Sequence, residues 1–114
     1  MIELNNVKEI YLVSGYTDMR KQIDGLISII KNIGKFDLTT NTLFIFCGKD
    51  KTKIKILEID QTGVWVYYKR THGQKFKWPK NNEKLLITKQ QLSWFLQGLS
   101  VIQKNAHTPH FFNC

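Results

Sequence analysis

Nine carboxylates, three histidines and two cysteines are the side chains of this chain that could carry catalysis or hold a metal. Metal-dependent strand cleavage needs two or three acids converging on divalent cations. Asp18 and Asp24 stand six residues apart on a predicted helix and so face different ways, and no acids pair across the predicted strands. Neither a Ser–His–acid nor a Cys–His arrangement stands out, and Cys47 reads as a small buried apolar residue. His107, His110 and Cys114 give an H-x-x-H-x-x-x-C tail that could contribute to a zinc site. No second cluster completes a tetrahedron unless folding brings His72 or Cys47 alongside, and the plainer reading is an unstructured tail. Gly48-Lys49-Asp50-Lys51-Thr52 lacks the upstream glycine of a phosphate-binding loop and precedes a strand, so it reads as a hairpin turn. The expectation is therefore a protein that is not an enzyme, with no metal and no cofactor.

Cations remain. Lys and Arg number 17 against nine acids, a net charge of +8. Between Lys49 and Lys80 nine cations face only Asp50, Glu58 and Asp60, so six of the eight excess charges lie in that segment. Clustered cations favour a polyanion, nucleic acid first. The other reading is a solvated lysine-rich face. Within the segment, Val64 to Lys69 and Gln74 to Trp78 read as two strands of a hairpin around Thr71-His72-Gly73, with Gly73 available for a positive φ. Alternation puts Val64, Val66 and Tyr68 on one face and Trp65, Tyr67 and Lys69 on the other. Phe76 and Trp78 read as core, so Lys75 and Lys77 should face out. If Trp65, Tyr67 and Lys69 share that outer face, Lys53, Lys55, Lys69, Arg70, Lys75 and Lys77 would meet phosphates and Trp65 or Tyr67 could stack on a base. Alternatively the aromatics are cross-strand packing and the lysines solubilise an open face.

The elements that must position these residues follow from periodicity. Met1 to Val7 reads as a tail and Ile10 to Val13 as a short strand. Thr17 suits an N-cap with Asp18 in the first turn, and Met19, Ile23, Leu26, Ile27, Ile30 and Ile33 then form one helical stripe of more than four turns, stopped by Gly34. Gly25 sits mid-helix, as a close helix–sheet approach would require. Thr42 to Cys47 is a dense apolar run, predicting a central strand, and Lys53 to Ile59 alternates as its neighbour. Leu85 to Ile87 is a short extended piece, and Thr88 with Gln91 forms a capping box for a helix buried through Leu92, Phe95, Leu96 and Leu99. The expectation is an α+β fold: an antiparallel meander of four to five strands, with one long N-terminal helix and one C-terminal helix packed on one face. A single domain over 1–114 is expected, with its core at about 7–102 and a flexible tail at 103–114. No run reaches the roughly 18 apolar residues of a membrane span, no secretory signal is evident, and the cysteines form no spaced pair, which together point to the cytoplasm.

Several of these stretches resemble one small family. Thr17-Asp18-Met19-Arg20-Lys21 followed by Asp24-Gly25-Leu26 is similar to its T-D-M-R-K-x-x-D-G-L signature, and Leu43 to Gly48 to its L-F-V-F-x-G strand. Tyr67-Tyr68-Lys69-Arg70, Gly73, Phe76 and Trp78-Pro79 resemble its Y-Y-K-R…G…F-x-W-P run, and Leu92 to Leu99 its closing helix. The family is that of the TnpB accessory proteins (Orf2-like) of IS-sixty-six-type bacterial insertion sequences, distinct from the RNA-guided nuclease that shares the TnpB name. The resemblance spans about Val7 to Leu99. It implies a protein encoded beside a larger transposase that carries the catalytic acids, and it lends no catalytic residues here. It implies assistance to transposition by binding DNA, such as the element ends, or as an adaptor that binds the transposase without touching DNA. Arg20 and Lys21 join the candidate contacts on that ground, the structural alternative being an Arg20–Asp24 pair. Two departures stand out: Gly98-Leu99-Ser100-Val101 replaces the family's G-[IL]-D-W, and Asp60-Gln61-Thr62-Gly63 lacks a second acid or glycine. Neither a membrane nor a small-molecule substrate is expected as a partner.

Overall fold

A computed structural model describes residues 6–33, 41–78 and 84–97. Five strands, β1 (Glu9–Val13), β2 (Thr42–Cys47), β3 (Lys53–Ile59), β4 (Val64–Arg70) and β5 (Lys84–Ile87), form one sheet in the order β4-β3-β2-β1-β5. Two helices, α1 (Ile23–Ile33) and α2 (Lys89–Leu96), complete it. The α+β class holds, but the sheet is mixed: β2, β3 and β4 form an antiparallel meander, while β1 lies parallel to β2. A parallel pair needs a long crossover, and the segment carrying α1 provides it. β5 closes the other side antiparallel to β1.

β2 is central and all six of its residues are buried, as a dense apolar run requires when both faces are covered. Its alternation feeds two cores. Leu43, Ile45 and Cys47 pack with Ile10, Leu12, Ile54, Ile56, Ile87 and, from α2, Leu92 and Phe95. Phe44 and Phe46 pack with Val13, Leu57, Ile59 and, from α1, Leu26 and Ile30. The helices therefore lie on opposite faces, not on one. Each apolar stripe needs a sheet face, and a sheet apolar on both sides offers two. Val7, expected in a tail, is buried in the α2-side core.

α1 is shorter than its apolar spacing suggests. Thr17 is buried and is no N-cap: its N–H donates to the Cys47 carbonyl at 2.8 Å, tying 17–22 across the end of β2 as a loop. Met19 belongs to that loop and packs on the α1-side core without being helical. Gly25 does not serve a close approach to the sheet. A Cβ there would stand 3.1 Å from Lys21 Cβ, so the glycine lets the incoming loop fold onto the first helical turn. Asp24 in the first turn and Lys31 in the last complement the helix dipole.

The expected hairpin partner of β4 is absent. Gln74 to Trp78 forms no strand; residues 71–78 run back across the sheet end as a strap. Thr71 N–H donates to the Thr52 carbonyl at 2.8 Å, Phe76 N–H to the Lys51 carbonyl at 2.7 Å, and the Trp78 indole N–H to the Gly15 carbonyl at 2.7 Å. Gly73, at φ 112°, makes the turn into it. Phe76 and Trp78 are buried against Phe95, with ring centroids 4.8 and 5.2 Å apart, so strap and α2 cover one sheet face together. The alternation survives without the strand: Phe76 and Trp78 point in, Lys75 and Lys77 out. The α2 capping box is present, with Gln91 N–H donating to Thr88 Oγ1 at 3.1 Å and Thr88 N–H to Gln91 Oε1 at 2.8 Å. The expected stop at Gly34, the loop after it, Pro79, Leu99 and the 103–114 tail with its His107–His110–Cys114 spacing lie outside the described residues.

Candidate nucleic-acid interface

Register decides which cations meet. The C-terminal ends of β1, β2 and β4 and the N-terminal ends of β3 and β5 share one edge of the sheet. To that edge the turn after β2 brings Lys49 and Lys51, the strand ends bring Lys53, Lys69 and Arg70, and the strap brings Lys75 and Lys77. Glu9, Glu58 and Asp60 lie at the opposite edge, with Lys8 and Lys89. Among the described residues the two ends of the sheet thus differ, with the cations gathered at one, the basic rim, and Glu9, Glu58 and Asp60 at the other.

Among the described residues, Asp18 and Asp50 stand at the rim, and both are engaged. Asp50 accepts from Thr52 N–H at 3.0 Å and from Lys53 Nζ at 3.1 Å, donors that lower its carboxyl below the ordinary range, the Thr52 N–H most. Asp18 takes a forked bond from the Arg20 guanidinium, 2.8 Å at the shortest, and also accepts Arg20 N–H, so its carboxyl is drawn down to about 2. Arg20 thus pairs with Asp18 inside the loop rather than with Asp24 along the helix. These exposed pairs contribute little stability, but they spend the nearby negative charge. Lys49, Lys51, Lys69, Arg70, Lys75 and Lys77 form no ion pair among the described residues.

The expected single basic and aromatic face does not form. Cross-strand partners share a face, and Lys53 opposes Arg70, Lys55 opposes Tyr68, and Leu57 opposes Val66. Leu57 and Val66 pack on the α1 side, so Lys53, Lys55, Tyr68 and Arg70 belong to that side. Trp65, Tyr67 and Lys69 belong to the α2 side, where Tyr67 packs against the core. The cations come together only at the strand ends, where the two faces meet.

Trp65 and Tyr67 are held away from the rim. Trp65 lies five residues from Arg70, about 17 Å along the strand. Its indole N–H donates to Asp60 Oδ2 at 2.8 Å, and the Tyr67 hydroxyl donates to Glu58 Oε1 at 2.7 Å. The bond to Glu58 helps push the Tyr67 hydroxyl up to about 12. Asp60 also accepts Thr62 and Gly63 N–H at 2.8 Å each, which folds the turn before β4 and lowers its own carboxyl. Both rings therefore sit beside carboxylates, a poor setting for phosphate.

Lys55 is already occupied: Nζ donates to the Lys21 carbonyl at 2.7 Å and lies 5.8 Å from the Tyr68 ring centroid. Lys21 is exposed on the loop that this bond anchors. Lys49 and Lys51 are not among the contacts expected from the sequence, and alternation groups Tyr68 with Val64 and Val66 without saying whether that face is covered. Tyr68 is 53% exposed, since it lies nearer the strand end than the residues α1 covers. Beside the strap, Lys69, Arg70, His72, Lys75, Phe76 and Leu96 help line a cavity of about 500 Å³. Cys47 is buried, and desolvation pushes its thiol up to about 12, as suits a packing residue. Among the described residues no group of three His, Cys, Asp or Glu side chains converges as a metal site, and no helix is long and apolar enough to cross a membrane.

The family model described as IS66 Orf2-like protein matches residues 8–106, which takes in every element of the sheet, the loop at 17–21 and the strap. The chain belongs to the IS66 Orf2-like family. Membership ties it to insertion-sequence transposition, in an accessory family. An uncharacterized protein, y4hO, of Sinorhizobium fredii (strain NBRC 101917 / NGR234) is 28% identical over 91 residues, 79% of each chain. No solved structure matches. The T-D-M-R-K stretch and the described part of the Y-Y-K-R…F-x-W stretch, up to Trp78, meet at the rim of this IS66 Orf2-like chain. The first ties the loop to the end of β2, and the second supplies the end of β4 and the strap.

Proposed function

We propose that the protein is a non-catalytic DNA-binding factor of insertion-sequence transposition, acting in the cytoplasm beside a separate transposase. The observation that carries this reading is the gathering of Lys49, Lys51, Lys53, Lys69, Arg70, Lys75 and Lys77 at one sheet edge, with Glu9, Glu58 and Asp60 at the other. A polarised surface of this kind attracts the phosphate backbone and orients the protein upon it. Of the ten residues singled out by sequence, Lys53, Lys69, Arg70, Lys75 and Lys77 would contact phosphate directly. Arg20 and Lys21 would extend the surface on the α1 side, Lys55 would hold the loop, and Trp65 and Tyr67 would stay structural.

The test is a gel-shift with the element's terminal inverted repeats across a salt series, with and without transposase. Four to six neutralised phosphates correspond to a slope of log K against log salt of about −3.6 to −5.4. Exchanging Lys75 and Lys77 together for Glu should abolish binding; unchanged binding sinks the assignment of the rim. A second reading, an adaptor that docks on the transposase without touching DNA, draws on Leu86, which is 63% exposed on the edge strand β5. It requires co-purification with the transposase and no DNA retardation at physiological salt.

A further inference from the structure

On the α1 side of the sheet, Met19, Gln22, Ile23, Lys55, Val66 and Tyr68 line a groove of about 400 Å³. Its floor is apolar at Met19 and Val66, which rest on the buried core beneath α1, and Lys55 also lines it, its Nζ bonded to the Lys21 carbonyl and 5.8 Å from the Tyr68 ring centroid. It stays open because α1 begins only at Ile23 and buries its residues further on, at Leu26 and Ile30. Ile23 and Tyr68 are left exposed at its walls. Cations surround it. Arg70 lies two residues beyond Tyr68 on the same face, about 7 Å along the strand, with Lys53 opposite. Arg20 and Lys21 border it from the loop. Of the nearby acids, Asp18 and Asp50 pair with Arg20 and Lys53, while Asp24 is exposed in the first turn of α1, next to Ile23.

An aromatic wall on an apolar floor, with cations on both flanks, matches a flat ring that carries a phosphate on each side. Aromatic platforms of this kind bind bases with little regard to sequence. Bases stacked within a duplex cannot enter such a groove. An acidic peptide would need an apolar anchor between carboxylates on both flanks and makes no special use of the ring. We infer that the groove takes an unpaired base of single-stranded DNA against Tyr68, its flanking phosphates held by Arg70 and Lys53 on one side and Lys21 and Arg20 on the other. The inference rests on the DNA-binding reading and adds to it the state of the strand and the residue that senses it. It also moves the stacking role from Trp65 and Tyr67 to Tyr68.

Fluorescence anisotropy at physiological salt tests it, using the full chain with a labelled single-stranded DNA oligonucleotide, its blunt duplex, the same sequence in RNA, and a Glu-rich peptide with one Phe. Tyr68→Leu keeps apolar cover on β4 and removes the ring, with circular dichroism verifying the fold. It should lower affinity for single-stranded DNA about tenfold or more, within the range of one base–aromatic stack, and leave the blunt duplex within about twofold. Tyr68→Trp should retain single-strand affinity, and its fluorescence should be quenched on binding. Equal losses for single strand and duplex, or no loss for either, overturn the inference. So does preference for RNA, or Tyr68-dependent capture of the peptide in place of DNA. If exchanging Lys75 and Lys77 abolishes duplex binding while Tyr68→Leu leaves the single strand unaffected, only the groove inference falls. If the native protein binds no DNA, the DNA-binding reading falls with it.

Discussion

Replacing Phe95 by alanine should both unfold the protein more easily and weaken DNA binding, although no charge changes. Phe95 has no exposed surface and stacks on Phe76 and Trp78, so it joins α2 to the strap. A buried Phe→Ala exchange costs about 3–5 kcal/mol, lost ring contacts and cavity included. Domains of this kind have a total of only about 5–15 kcal/mol. With a urea dependence of about 1.5 kcal/mol per molar, the midpoint should fall by about 2–3 M. Urea unfolding followed by far-UV circular dichroism measures it, because the indole of Trp78 lies too close to serve as a neutral probe. Phe95→Leu keeps most of the volume and should cost clearly less. Lys75 and Lys77 alternate with Phe76 and Trp78, so loosening the inner pair frees the outer pair from the rim. DNA affinity should then drop under conditions where the variant remains folded. A loss of stability below about 1 kcal/mol would refute the packing of strap on helix. Full DNA affinity in a destabilised variant would refute the link between that packing and the rim.

Thr88→Ala removes the capping box of an eight-residue helix and should cost about 1 kcal/mol, read from denaturant midpoints. Asp60 has a carboxyl lowered from the ordinary 3.8, first by Thr62 N–H and then by the Trp65 indole. Its contribution is therefore present above that value and is lost as pH falls through the lower folded value. Asp60→Asn should flatten the acid limb of a melting-temperature profile, and an identical limb would show that the turn's charge is immaterial. Lys51 is held at φ 64°, a region that favours glycine. Lys51→Gly should leave stability within about 1 kcal/mol yet weaken DNA binding and make the salt slope shallower by about 0.9; stronger binding would count against the rim.

Features governed by a few neighbouring residues were legible in the chain. The capping box at Thr88, the turn from Gly48 to Thr52, the burial of Thr42 to Cys47 and the inward Phe76 and Trp78 all depend on local chemistry or on alternation along one extended segment. The family signature was legible too, because it lies in the order of side chains. So was the concentration of charge between Lys49 and Lys80. Alternation, however, states which residues of a segment share a side, not which element covers that side. Lys53 and Trp65 could thus be imagined on one surface, while register sets them on opposite faces. The apolar spacing from Met19 to Ile33 could not show that Thr17 to Gln22 is a loop, since Met19 meets the same core from a loop as it would from a helix. Nor could the run at Gln74 to Trp78 announce a strap, because an extended segment alternates whether or not it pairs as a strand. Tertiary structure alone decided the parallel pairing of β1 with β2, the placing of the helices on opposite faces and the exposure of Tyr68. It also brought distant cations to one sheet edge, since that depends on strand direction and register, which residues far apart in the chain set together.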